Sequence, residues 1–115
     1  MADDLTQAGE PVVTYVRTRS GQSKHDGAEP EQRDALRAYA AAHGYRLVEE
    51  FVDEGCSGTT LARPALDRLR DAAPTGTFKR VLVLTPDRIA RDSGYQSFLM
   101  DELQQAGVAV EFVQP

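Results

Sequence analysis

The chain has 115 residues, 41% apolar and 27% charged, with 13 Lys and Arg against 18 Asp and Glu and a formal net charge of −5. That length supports one hydrophobic core and one domain. The acidic balance argues against a free-standing nucleic-acid binder that works by blanket electrostatics, and no stretch reaches the ~18 apolar residues of a membrane span.

Residues 1–10 are polar and acidic and read as a disordered lead-in rather than a leader peptide. Residues 11–17, PVVTYVR, form a short apolar run rich in β-branched residues, expected as a buried strand. Residues 18–29 are polar, aperiodic and long for a loop in so small a domain. Pro30 suits a helix start. Leu36, Tyr39, Ala40 and His43 then give a helical face, with Gly44 as the stop. YRLVEEFV (45–52) predicts a second strand, followed by a loop over 53–62. Arg63-Pro64 opens a second helix through Leu66, Leu69, Ala72 and Ala73, ended by the breaker at 74–77. RVLVLT (80–85) is the most apolar run and is expected at the centre of the sheet. Residues 86–96 lead into a third helix through Phe98, Leu99, Leu103 and Gly107, and VAVEFV (108–113) predicts the last strand.

The alternation of strand and helix predicts an α/β domain over 11–115, a three-layer fold with a mainly parallel four-stranded sheet. Continuous apolar strands agree with helices on both faces. Sites in such sheets form beyond the carboxyl ends of the strands, where three polar loops fall, at 18–29, 53–62 and 86–92.

Charge is uneven along the chain. Asp3, Asp4 and Glu10 give −3 at the start, and Asp101, Glu102 and Glu111 give −3 at the end. All 13 Lys and Arg lie between, 11 of them Arg, the side chain best suited to bidentate phosphate or carboxylate contacts. A GC-rich coding bias explains the Arg excess equally well. One cysteine, Cys56, rules out an intramolecular disulfide, and His25 and His43 have no Cys partners for a zinc site. These features point to a cytoplasmic chain.

Arg88 and Arg91 are three apart, so on one helical turn they point the same way and offer an anion site. With Arg17 and Arg63 arriving from other loops, four cations could surround one phosphate. Arginine donors placed in advance would stabilise a phosphodiester under attack, and a nearby hydroxyl would be the nucleophile. Each element also has an ordinary explanation. Arg88 and Arg91 can pair with Asp87 and Asp92 at the surface. Ser57 between glycines suits a turn, Tyr15 suits a core, Cys56 has no activating His nearby, and Ser20 suits a solvated loop.

Taken together, Tyr15-x-Arg17, Gln32, Asp53-x-Gly55-x-Ser57-Gly58, Arg63-Pro64-Ala65-Leu66, Pro86-Asp87-Arg88-Ile89-Ala90-Arg91 and Gly107-Val108 resemble the catalytic domain of the serine recombinases, the resolvases and invertases, over about residues 12–113. The large serine recombinases and transposon types are the most similar. The resemblance implies that a serine attacks a DNA phosphodiester, giving a 5′-phosphoserine link and a free 3′-OH, with rejoining after strand exchange in a tetramer and with no metal or cofactor. It implies that Arg17, Arg88 and Arg91 bind the scissile phosphate with support from Arg63. Asp87 and Asp53 would orient arginines or assist proton transfer, with Gln32 and Tyr15 accessory.

Two departures stand out. The family places its serine four residues after the tyrosine, where this chain has Arg19, and the serine follows at Ser20. Either Ser20 reaches the phosphate, since a loop absorbs ~3.5 Å of chain, or the nucleophile is lost and the domain is a binding, regulatory or oligomerisation module. Ser57 is the remaining candidate hydroxyl. The sequence also stops after the last strand, without the long helix and DNA-binding domain that follow in the family. It is therefore expected to meet DNA through parts not present here, as a homodimer or tetramer in full-length form, and to involve no membrane. A phosphoacceptor domain of the same strand–helix order would need an acidic pair after the first strand. A dinucleotide fold would need G-x-G-x-x-G. Neither is present.

Overall fold

The computed structural model describes residues 9–18, 28–53 and 63–114. Strand β1 spans Pro11–Arg17, helix α1 Ala28–Ala42, β2 Arg46–Asp53, α2 Pro64–Ala72, β3 Arg80–Val83, the single turn α3 Pro86–Ile89, α4 Ser93–Gln105 and β4 Ala109–Phe112, with a 3-10 turn at Ala73–Thr75. The four strands lie in the order β2-β1-β3-β4, and every pairing is parallel. The expected α/β three-layer architecture is therefore present. The centre of the sheet is shared by β1 and β3 rather than held by β3 alone.

Side-chain alternation along β1 sorts the two faces. Val12 and Val16 pack with Leu36 and Ala40 of α1 and with Leu82. Val13 and Tyr15 face the larger core, with Phe51, Leu66, Leu69, Val81, Val83, Leu99 and Leu103. Arg17 shares the parity of Val13 and Tyr15, so it lies on the α2 and α4 side. In β2, Phe51 and Asp53 are buried and share that side.

The expected stop at Gly44 and the end of α4 at Gly107 are made the same way. Gly44 has φ +71° and Gly107 φ +88°, and each helix closes with paired bonds. Gly44 N donates to Ala41 O and Tyr45 N to Ala40 O, while Gly107 N donates to Gln104 O and Val108 N to Leu103 O. This is a left-handed helix end that favours glycine. Helix α1 begins two residues before Pro30, which therefore sits inside the first turn, where its missing N–H costs nothing.

One expectation fails for a physical reason. Arg88 and Arg91 do not share one helical turn, because Ala90 turns extended (φ −165°, ψ 149°) and a new helix starts at Ser93. Phe98, which runs with the buried Leu99 and Leu103 along the third helix, is 53% exposed. His43 is exposed, its ring stacked on Tyr39 at 4.0 Å between centroids and facing Tyr45 at 5.8 Å.

Charges separated in sequence meet in space. Arg80 pairs with Glu10 at 2.8 Å and Glu111 at 3.0 Å, and Arg70 with Glu102 at 2.7 Å. Three of the six acidic residues at the two ends of the chain thus neutralise arginines of its middle. Glu10, at the limit of the expected lead-in, is held both by Arg80 and by Arg46 N, which donates to its carbonyl. Burial opposes ionisation of Glu111, but hydroxyls donated by Tyr39 and Tyr45, with Arg80, hold it below its ordinary value.

Glu50 accepts from Arg37 at 2.6 and 2.8 Å and from Arg33 at 2.8 Å. The Arg37 bond foremost, then Arg33, against an opposing effect of burial, pushes the Glu50 carboxyl down to about 2 from 4.5. A depressed carboxylate contributes stability above its unfolded value and loses it as pH falls through the folded one. Unfolding titrations are therefore expected to show a stability loss between about pH 4.5 and 2. In Glu50→Gln that loss shrinks, because its share of the proton linkage is gone. An identical acid profile in the variant would contradict this.

Candidate active site

The carboxyl ends of β1 and β2 lie side by side, with Arg17 paired to Asp53 in register. Asp53 is buried and its carboxylate is fully engaged. It accepts from Tyr15 Oη at 2.8 Å, from Ala65 N at 2.8 Å and from Leu66 N at 3.0 Å. Arg63 occupies the N-cap position of α2 with no side-chain cap bond of its own. A guanidinium carries no acceptor, so the cap of α2 comes from a carboxylate on the neighbouring strand. Asp53 thereby ties β1, β2 and α2 together and sets where Arg63 leaves the backbone. Burial pushes the Tyr15 hydroxyl far above its ordinary value; the Arg63 charge opposes this, and Asp53 adds to it. Tyr15 is thus held as a neutral donor.

Arg17 and Arg63 are both fully buried. Arg17 Nε donates to Arg88 O at 3.1 Å and its Nη2 to Asp87 O at 2.6 Å. Arg63 Nη1 reaches the same Arg88 carbonyl at 3.4 Å. Arg88 Nη1 donates back to Arg17 O at 3.2 Å, and Gln32 Nε2 lies 3.5 Å from that carbonyl. Three guanidiniums from β1, α2 and α3 are therefore braced on backbone carbonyls. Burial first, and then the charge of Arg63, lowers the Arg17 value. Among the described residues, Arg63 Nε and Nη2 and Arg88 Nε are buried without a hydrogen-bond partner. Leaving buried donors unmade costs about 1–3 kcal/mol each, so such groups call for a ligand or a functional reason.

Of the residues singled out in the sequence, Tyr15, Arg17, Gln32, Asp53, Arg63, Asp87 and Arg88 come together here. Asp87 contributes its carbonyl to Arg17, while its carboxylate accepts from Thr85 Oγ1 at 2.5 Å. Arg91 does not share a helical turn with Arg88. The turn ends at Ile89, and Arg91 is exposed in the bend before α4. Among the described residues, no ion pair joins Arg88 or Arg91 to Asp87 or Asp92. Asp92 instead caps α4, accepting from Tyr95 N at 2.7 Å. Arg19, Ser20, Ser57 and Cys56 lie outside the described residues. The sequence reading missed the capping role of Asp53, whose partners are 12 and 13 residues away. It also missed Asp92, although an Asp ahead of a helical segment is a recognisable N-cap signal.

The parallel order and this arginine cluster define a resolvase-type catalytic domain. The chain belongs to the family described as the resolvase N-terminal domain, which it matches over residues 12–115. It is 32% identical over 102 residues to a putative DNA recombinase of Bacillus subtilis (strain 168), a match covering 89% of this chain and 20% of that protein. The chain thus spans about a fifth of the length of this curated relative. Among solved structures it is similar to the N-terminal catalytic domain of TP901-1 integrase, with 29% identity and a TM-score of 0.84 over 90% of this chain and 78% of that one. It is also similar to the C-terminal catalytic domain of ISC1926 TnpA, an IS607-like serine recombinase, with 29% identity and a TM-score of 0.81 over 90% and 70%.

Removing Asp53 strips α2 of its cap and leaves the Tyr15 hydroxyl without its acceptor. Asp53→Ala is expected to lower the unfolding free energy by about 2–4 kcal/mol, read by urea denaturation at constant slope. A loss below about 0.5 kcal/mol, the size of an ordinary surface change, would show that the carboxylate does not anchor the helix.

Proposed function

We propose that this chain is the catalytic domain of a site-specific DNA recombinase, with Ser20 as nucleophile. In this reading Ser20 Oγ attacks the phosphorus of a DNA phosphodiester. The Oγ–P bond forms, the P–O3′ bond breaks, and the 3′ oxygen leaves as a hydroxyl after taking up a proton. Rejoining reverses these steps with a 3′-OH from the exchanged strand. The observation that carries the reading is Arg63, a fully buried guanidinium with two nitrogens, Nε and Nη2, that have no hydrogen-bond partner among the described residues, set against Arg17 and Arg88. A phosphate is the anion whose oxygens match such donors, and its charge rises in the transition state.

Arg17 and Arg88, braced on each other's carbonyls, would hold the non-bridging oxygens together with Arg63. Arg91, exposed beyond the turn, would meet the DNA backbone from outside. Gln32 and the Asp87 carbonyl would keep Arg17 in place, and Asp53 and Tyr15 would act through Arg63 rather than in proton transfer. Ser57 would be a turn residue. DNA would be brought by parts other than this acidic domain, which would work in a dimer or tetramer in the cytoplasm.

The test is a covalent trap. The chain is fused to a DNA-binding module and incubated with DNA carrying that module's site. A protein–DNA adduct that survives denaturation is expected. Ser20→Ala should abolish it, and Arg63→Ala should slow its formation by about a hundredfold or more. An adduct that persists in Ser20→Ala removes Ser20 from the role. If the parent forms no adduct and Arg19→Ser creates one, the domain is catalytically degenerate.

A further inference from the structure

A buried cation held by one long bond needs something else to fix its direction. The bond from Arg63 Nη1 to Arg88 O is 3.4 Å, near the limit for a hydrogen bond. Its other two nitrogens, Nε and Nη2, make none among the described residues. The Tyr95 ring lies 6.0 Å from Arg63 Cζ, centroid to carbon, at the outer range of a cation–π contact. Tyr95 is in turn fixed at both ends. Its backbone N–H is bound by the Asp92 cap at 2.7 Å, and its ring stacks on Phe98 at 6.1 Å with 13° between planes. Phe98 lies 5.9 Å from Arg70 Cζ. Arg70 is locked by two bonds to Glu102 at 2.7 and 2.8 Å.

We infer that Tyr95 is a positioning residue for Arg63, the inner rung of an arginine–aromatic ladder, Arg63–Tyr95–Phe98–Arg70, along the seam between α2 and α4. The ladder gives the exposed Phe98 a purpose: it backs Tyr95 and covers the Arg70 guanidinium. The spacing fits the two helices. Tyr95 and Phe98 are three apart and Arg63 and Arg70 seven apart, each pair on one helix face. Tyr95 touches no reacting atom in this scheme; it acts by limiting the directions in which Arg63 presents its free N–H groups. Its catalytic consequence rests on the function proposed above.

Two measurements test the inference separately. In the 115-residue chain labelled with 15N and 13C, the Arg63 Hε and Hδ resonances should be displaced by the Tyr95 ring current. Tyr95→Phe should keep the displacement and Tyr95→Leu remove it. Tyr95→Met replaces the leucine variant if that one does not fold. In the covalent-trap assay, Tyr95→Leu should slow adduct formation about tenfold and Tyr95→Phe should restore most of it. In an Arg63→Ala background Tyr95→Leu should have no further effect, which a merely structural contribution of the ring would not show. Unmoved Arg63 resonances in Tyr95→Leu, or an equal rate loss with and without Arg63, would overturn the inference. If the parent chain forms no adduct, it is the functional reading that fails, and the resonance measurement still decides the role of Tyr95.

Discussion

Three arginines converge on the end of the sheet, and the acceptors they share there are mostly backbone carbonyls. This constraint organises the site. A carbonyl satisfies a donor but does not cancel a charge. Burial, and after it the charge of Arg63, lowers the Arg17 value, with Asp87 opposing. Buried guanidiniums are costly to desolvate. They persist because the surrounding structure over-determines their positions. The reciprocal bonds between Arg17 and Arg88 lock the end of β1 to the turn α3, and Asp53 locks the base of Arg63.

The geometry follows from simple rules of chain direction. Period-two alternation sends Tyr15 and Arg17 to the same face of β1, the face that α2 covers. The parallel register then sets Arg17 beside Asp53. Asp53 uses its carboxylate for the first N–H groups of α2, so the N-cap residue itself is left free to be an arginine. A helix capped by a neighbouring strand can devote its own cap position to other chemistry. Four further arginines are held by structure: Arg70 and Arg80 by acidic residues from the two ends of the chain, Arg33 and Arg37 by Glu50. The acidic surplus visible in the composition is partly the complement of this structural set.

Much of this was legible in the sequence, and its gaps have physical causes. Strand and helix order followed from apolar runs and from the stop at Gly44, because glycine marks a left-handed helix end whatever the tertiary context. Tyr15-x-Arg17 was legible because strand parity is local. The pairing of Arg88 with Arg91 on one turn was not realised. Ala90 adopts an extended backbone that no glycine or proline announces, and the Asp92 cap that restarts the helix was the one available signal. Phe98 and Leu99 stand next to each other on the third helix, and which of them is buried depends on the partner helix, which the sequence does not name. The anchoring role of Asp53 depends on contacts between separate elements and has no local signature.

The central claim is that Arg63 is retained for a ligand and at the expense of stability. Arg63→Met tests it most directly, since it keeps the side-chain bulk and removes the buried guanidinium with its two unbonded nitrogens. Urea unfolding of this variant is predicted to show an increase in stability of about 1–3 kcal/mol, together with loss of adduct formation in the covalent trap. A destabilised Arg63→Met domain would contradict the account, because it would show that the buried guanidinium holds the fold together rather than waiting for a phosphate.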